Sequence, residues 1–394
     1  MQVKGFLAAA APAGIRYTGR LDLGLIFSQT PAVTAGAFTT NKVKAAPVQL
    51  DMELLRSGLA QAILVNSGNA NACTGKEGMD QAQATGVLAA RELGIDPSLV
   101  QVASTGVIGQ PLRLEPFVKA MPGLVAGLSP DGFAQVAQAI MTTDLASKIA
   151  TATVDICGVE VSILGVAKGS GMIMPDMATM LCFVVTDAQI VFPVLNRLVK
   201  AGVGQTFNRI TVDGDTSTND TVLVMANGAA GNPWIDEDNP QGAALFGDAL
   251  KGVFKELALK VVADGEGATK LVTIRVAGAR DEDEALNAAQ TIANSALVKT
   301  AFFGEDANWG RIIAALGRSE CTFDPQRVGV SFDGVSLVEN GVALGADREA
   351  AATAVLKQPR FTVTVQLSEG HAEAEVYTCD FSYDYVKINA DYRS

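Results

Sequence analysis

Histidine is nearly missing from this sequence: His371 is the one imidazole in 394 residues. Chemistry that needs two, such as an HExxH zinc hydrolase, is excluded. Cysteine is scarce as well. The five present (Cys73, Cys157, Cys182, Cys321 and Cys379) are odd in number, far apart and without a CxxC pair. That argues against structural zinc and against a disulfide framework, so reduced thiols in a cytoplasm are expected. No apolar run approaches the ~18 residues that cross a bilayer, and no membrane segment is expected. The alanine-rich start after Lys4 is broken by Pro12, Gly14 and Arg16, too early for a secretory signal. Basic charge is in deficit, 30 Lys and Arg against 42 Asp and Glu, with a net charge of −12 and a pI near 4.7. A polyanion is repelled and no basic patch offsets this, so no nucleic-acid partner is expected.

What the sequence has is apolar content. It is 48% hydrophobic and 18% charged, with mean hydropathy +0.25. Such a chain folds, and its length suits two or three domains. Strand and helix patterns alternate throughout, the signature of an α/β protein. Two short strands around Pro31 are expected within 22–40. A hairpin is expected from 150 to 167, and a continuous apolar strand over 180–187. Residues 191–203 and 243–262 read as helices, and ARDEDE starts another with acidic residues in its first turn. The segment 361–388 reads as a hairpin turning at 368–370, followed by a tail.

Familiar site motifs fail one by one. ANACTGKE lacks the first glycine of a phosphate loop and puts Glu77 at its Ser/Thr position. Gly169 and Gly171 are not followed by a helix, as a dinucleotide loop requires. DGDTSTND at 213–220 matches only the first ligands of a calcium loop and reads as a solvated turn. No metal and no cofactor are expected. His371, beside a Ser-Glu-Gly turn, reads as an exposed imidazole.

A transferase or hydrolase without histidine needs another base. One solution is the α-amino group of a nucleophilic Ser or Thr at a new N-terminus, with a pKa of about 7.7–8.0. The chain would then cut itself in a strained loop, just before a hydroxyl residue that enters a rigid strand. KGSGMIMPDMA–TMLCFVV fits, with the cut between Ala178 and Thr179. On these residues alone, the better reading of Thr179 is a β-branched residue opening a strand.

GSGMIMPDMATML resembles the self-processing segment of the ornithine acetyltransferase (glutamate N-acetyltransferase) family. STGVIG at 104–109, AIMTTD at 139–144, TFNRITVDGDTSTNDT at 206–221 and ADGEGATK at 263–270 agree, as do NSALVKTAFFGEDANWGR at 294–311 and the final NADYRS. The resemblance spans essentially the whole chain. It implies cleavage between Ala178 and Thr179, with Thr179 the nucleophile of a ping-pong acetyl transfer from N2-acetylornithine to glutamate in arginine biosynthesis. Acetyl-CoA is a possible second donor substrate. The oxyanion hole falls on Thr105 (hydroxyl) and Gly106 (backbone N–H). Substrate contacts fall on Thr142, Lys168, Thr179, Glu266, Asn389 and Ser394, the last a serine where the family often has threonine.

The fold so implied is an αββα-type sandwich, shared with self-processing aminopeptidases, plus a C-terminal α/β domain. It divides the chain into 1–178 (α chain), 179–280 (the part of the β chain completing the core) and 281–394 (C-terminal domain). The implied assembly is a heterotetramer of two α and two β chains. Two rival readings remain: a self-processing aminopeptidase or amidase with water as acceptor, and a non-catalytic amino-acid-binding protein.

Overall fold

The computed structural model describes residues 1–174 and 180–391. In the first part, strand residues alternate between two cores, and this alternation builds the layers. The strands are β1 (Phe6–Ala11), β2 (Leu23–Phe38), β3 (Leu59–Asn69), β4 (Val100–Val107), β5 (Lys148–Ile156), β6 (Val159–Lys168), β7 (Leu181–Thr186), β8 (Ile210–Thr211) and β9 (Thr221–Ala226). All but β8 join one sheet in the order β4-β3-β2-β9-β7-β6-β5, with β1 on β2.

Along β7, Leu181, Phe183 and Val185 face one core, and Cys182 and Val184 face another. In β9, Leu223 and Met225 share the first core, whereas Val222 and Val224 share the second. In β3, Ile63 and Val65 meet Leu181 and Phe183 in that first core, whereas Ala62 and Leu64 point the other way. Two layers of strands therefore lie face to face. The outer face of β2, β3 and β4 is covered by α1 (Ala46–Leu54), α2 (Gly75–Leu93) and α3 (Glu115–Ala126). Short α4 (Phe133–Ala139) plugs the space between the layers. The outer face of β6, β7 and β9 is covered by α5 (Phe192–Gln205) and α6 (Pro240–Ala263). The result is helix, sheet, sheet, helix. Each fully buried Val, Leu or Phe in these faces contributes roughly 1.5–3 kcal/mol, which is what holds four layers together.

A second sheet takes up most of the remainder. Its strands are β10 (Leu271–Ala279), β11 (Gly329–Phe332), β12 (Val335–Glu339), β13 (Val342–Ala343), β14 (Arg360–Gln366) and β15 (Ala372–Cys379), in the order β13-β12-β11-β14-β10-β15-β8. Helices α7 (Glu282–Ala293), α8 (Ala296–Phe303), α9 (Trp309–Leu316) and α10 (Ala346–Leu356) share its core, and α11 (Tyr383–Asp391) follows. β10, which a division at 280 leaves with the preceding segment, is central to this sheet.

The hairpin expected over 150–167 is present. Cys157 (φ +54) and Gly158 (φ +85) form a two-residue turn between β5 and β6, with positive φ at both positions as such turns require. Asp281 caps α7 by accepting from the Glu284 N–H. Three expectations change. The two strands around Pro31 are a single strand, β2, whose pairing with β3 breaks between Phe27 and Ala32. Proline, lacking an N–H, sits in that unpaired stretch. β14 and β15 do not pair with each other. β10 lies between them, parallel to β14 and antiparallel to β15, and the turn wraps its end through Glu369 and Gly370 N–H bonds to the Gly278 carbonyl. The expected tail contains α11, anchored by Ser382 Oγ donating to the Gly267 carbonyl.

Candidate functional site

Several strand ends meet at one end of the sandwich. β3 and β4 run parallel and finish side by side, with Gly68 opposite Gly106 and Asn69 opposite both Thr105 and Val107. β6 finishes at Lys168, opposite Leu181 at the start of β7, which in turn lies opposite Thr221 at the start of β9. Between these ends is a cavity of about 80 Å³. Thr105, Gly106, Thr142, Lys168, Glu266 and Asn389 all line it. Six residues scattered over 285 positions of sequence thus converge. Ala178, Thr179 and Ser394 lie outside the described residues.

Gly106 has φ +134, and a Cβ there would lie 2.4 Å from the Gly68 carbonyl carbon and 2.6 Å from the Asn69 nitrogen. No residue with a side chain fits that bulge without moving the backbone. The buried Lys168 ammonium donates to Thr142 Oγ1 at 2.9 Å and to Thr105 Oγ1 at 3.4 Å. A hydroxyl accepting from Lys168 retains its own proton to donate elsewhere. Burial pulls the Lys168 pKa below its ordinary value, Asp144 opposes this, and Lys148 adds to the fall.

Glu266 follows α6. Its backbone N–H donates to the Ser170 carbonyl at 2.8 Å, and its carboxylate accepts from Asn389 Nδ2 on α11 at 2.8 Å. Gly171 presses against that carboxylate: a Cβ there would stand 2.5 Å from its atoms. Thr143 and Ser170 hydroxyls share a 2.7 Å hydrogen bond in the same wall.

The segment 213–220, read from sequence as a solvated turn, is instead a framework of the site. Ser217, Thr218, Asn219 and Asp220 are buried. Asn219 Nδ2 donates to the carbonyls of Ala70 and Ser104, tying this loop to the ends of β3 and β4. Asp213 accepts from the Met172 and Ile173 N–H groups at 2.6 and 2.8 Å, and Asp220 accepts from the Met180 N–H at 2.9 Å. One loop thus grips the described chain on both sides of residues 175–179. Burial pushes the Asp213 carboxyl up to about 6, although three amide donors oppose it. Asp220 is pushed well above the usual carboxylate range by burial. The sequence pointed to this segment only through the family resemblance, because a run of Ser, Thr, Asn and Asp carries no sign of its burial.

His371 is exposed and does not line the cavity. Among the described residues no cluster of His, Cys, Asp or Glu has the arrangement to hold a metal ion, and no helix is long and apolar enough to cross a membrane.

Fold and cavity define a four-layer α/β sandwich protein with a cavity lined by polar side chains where its strand ends converge. Residues 7–394 match the ArgJ family. The arginine biosynthesis bifunctional protein ArgJ of Desulfotalea psychrophila is 59% identical over 394 residues, covering 100% of both chains; that of Geobacter sulfurreducens is 54% identical over the same span. The crystal structure of arginine biosynthesis bifunctional protein argJ from Bacillus halodurans is 41% identical, with a TM-score of 0.51; it covers 53% of this chain and 98% of its own. The chain belongs to the ArgJ family.

Proposed function

We propose that this chain is an acetyltransferase of arginine biosynthesis that cuts itself between Ala178 and Thr179 and transfers acetyl from N2-acetylornithine to glutamate through an ester on Thr179. The observation that carries the reading is the convergence of Thr105, Gly106, Thr142, Lys168, Glu266 and Asn389 on one cavity. The Bacillus halodurans chain is in keeping with it: nearly all of that chain aligns with 53% of this one, and the 216 residues from 179 to 394 are a similar share.

In this mechanism Thr179 Oγ attacks the acetyl carbonyl while the Thr179 α-amine takes its proton. The oxyanion is met by the Thr105 hydroxyl and the Gly106 N–H. Each such donor is worth about 3–4 kcal/mol when preorganised, and the fixed bulge at Gly106 supplies that preorganisation. Lys168 and Thr142 receive the α-carboxylate common to both amino acids. Glu266, held by Asn389, faces the amine, and Ser394 adds a hydroxyl contact. Ornithine leaves with the proton, and the glutamate amine then attacks the ester. Acetyl-CoA serves as a second acetyl donor, and no resident cofactor takes part. The 1–178 and 179–394 pieces assemble as two α and two β chains in the cytoplasm, the latter comprising 179–280 and a C-terminal 281–394 domain.

The test is ornithine release from N-acetylornithine with and without glutamate, then with acetyl-CoA as donor. Release that depends on glutamate and yields N-acetylglutamate supports the reading. Equal release without glutamate would make the protein an amidase, and no release from cleaved protein would leave a binding protein.

A further inference from the structure

Asp144 stands outside the cavity lining, yet it reaches two of the residues proposed to bind substrate, Thr142 and Lys168. Its Oδ2 accepts from the Thr142 N–H at 3.0 Å, and its Oδ1 accepts from the Gly169 N–H at 2.8 Å. Lys148 Nζ sits 2.7 Å from Oδ1, and Lys168 Nζ sits 4.0 Å from Oδ2. The carboxylate is fully shielded from solvent, and both lysine side chains are nearly so. Lys148 continues the chain of charge to Asp264 at 2.6 Å. Asp264 accepts from the Leu145 and Ala146 N–H groups, two residues before Glu266.

We propose that Asp144 is a positioning residue for acetyl transfer, holding the Lys168 ammonium and the Thr142 backbone as one fixed receptor for the substrate α-carboxylate. The inference rests on the functional reading above, and it names a residue that reading does not use. The physical need is clear. A buried ammonium beside a second ammonium tends to shed its proton, and a neutral lysine attracts a carboxylate poorly. The groups facing Lys168 are Asp144, Lys148, Glu266 and Asp220. Asp144 is the strongest of the three carboxylates that keep the charge, ahead of Glu266 and Asp220. Its own carboxyl, which burial alone would raise, is held at about 2 by Lys168 and Lys148. It therefore stays ionised across the working range of pH.

The experiment follows KM and kcat for N-acetylornithine against pH in wild type and Asp144→Asn, with the Kd of its N2-methanesulfonyl analogue, which cannot transfer an acetyl group, measured calorimetrically in parallel. The α-nitrogen of this substrate is acylated, so it does not titrate. In wild type, KM and Kd climb once pH passes the Lys168 pKa. In Asp144→Asn that climb is expected at a lower pH by about one unit, giving about a tenfold weaker apparent affinity between the two limbs, with kcat changed much less. Lys148→Met removes the repelling charge instead, and the climb is expected to move to higher pH. A merely structural role would not shift the limb in opposite directions. Unshifted limbs in both variants, or equal losses of kcat and kcat/KM, overturn the proposal. If Asp144→Asn fails to fold, Lys148→Met alone decides, since an unmoved limb there refutes it. Wild type that binds N-acetylornithine without turning it over would refute acetyl transfer while the Kd profiles still decide the role of Asp144.

Discussion

Replacing Gly106 by alanine adds one methyl at the point where β3 and β4 end together. That methyl would lie 2.4 Å from the Gly68 carbonyl carbon, 2.6 Å from the Asn69 nitrogen and 2.8 Å from the Gly68 Cα. Carbon atoms settle about 3.5 Å apart, so the two strand ends must separate by about 1 Å. All three obstacles are backbone, so no side chain can swing aside. The residue is also held at φ +134, where a side chain costs about 1–3 kcal/mol. A displacement of about 1 Å at a reacting centre lowers turnover roughly 10²-fold. Gly106→Ala is therefore expected to lose about 10²-fold in kcat for acetyl transfer, with KM changing little and a Tm lower by several degrees. Gly109→Ala is the control. Its φ is +80 but nothing lies within 4 Å of a Cβ there, so it bears the conformational cost without the collision. It is expected to lose about 1 kcal/mol of stability and to keep its rate. Initial-rate assays and thermal melts on both variants decide the matter. Near-normal kcat in folded Gly106→Ala would remove its amide from the oxyanion hole.

Intact mass spectrometry is expected to find fragments of about 18 and 22 kDa, scaling 40.9 kDa by length, and an uncut, inactive chain in Thr179→Ala; a cut in that variant would overturn the assignment. His371→Gln is expected to keep near-normal kcat, still rising with pH as an amine loses its proton, and a collapsed rate in folded, cleaved protein would mean another base. Asp213 is an acid with a folded-state pKa raised to about 6, so it favours the folded state below its unfolded value near 4 and loses that advantage as pH rises to about 6. Urea unfolding is therefore expected to show wild type losing about 1–2 kcal/mol relative to Asp213→Asn between pH 4 and 7, allowing for partial exposure, and parallel pH profiles would refute it.

Local features were legible because their causes are local. The Cys157-Gly158 turn, the acidic start of α7 and the apolar β7 all follow from residues within a few positions of one another. Long-range features were not. HAEAEVYT alternates just as a hairpin strand would, but the partner that completes its pairing is β10, about 100 residues upstream. Pro31 announced a break, and a local loss of pairing inside β2 absorbed it. For the site, the resemblance placed the six cavity residues, and nothing in composition or spacing sets Lys168, Glu266 or Thr142 apart from a surface charge or an ordinary threonine. Asp144 and Lys148 escaped notice because a buried ion pair looks, in sequence, like any surface Asp and Lys four residues apart.

The strand order carries a consequence for a chain severed at 178–179. β7 and β9 would belong to one piece, and both their neighbours, β6 and β2, to the other. Six residue pairs join β2 to β9 and six join β6 to β7, so the pieces are interleaved like the fingers of two hands. Separation would tear two seams in mid-sheet and bare the face of β7 that packs toward β3. The severed protein would thus come apart only by unfolding, and dilution would not dissociate it. Such a molecule must complete its fold as a single thread before the cut. The two halves, made separately, would have to fold into each other rather than dock.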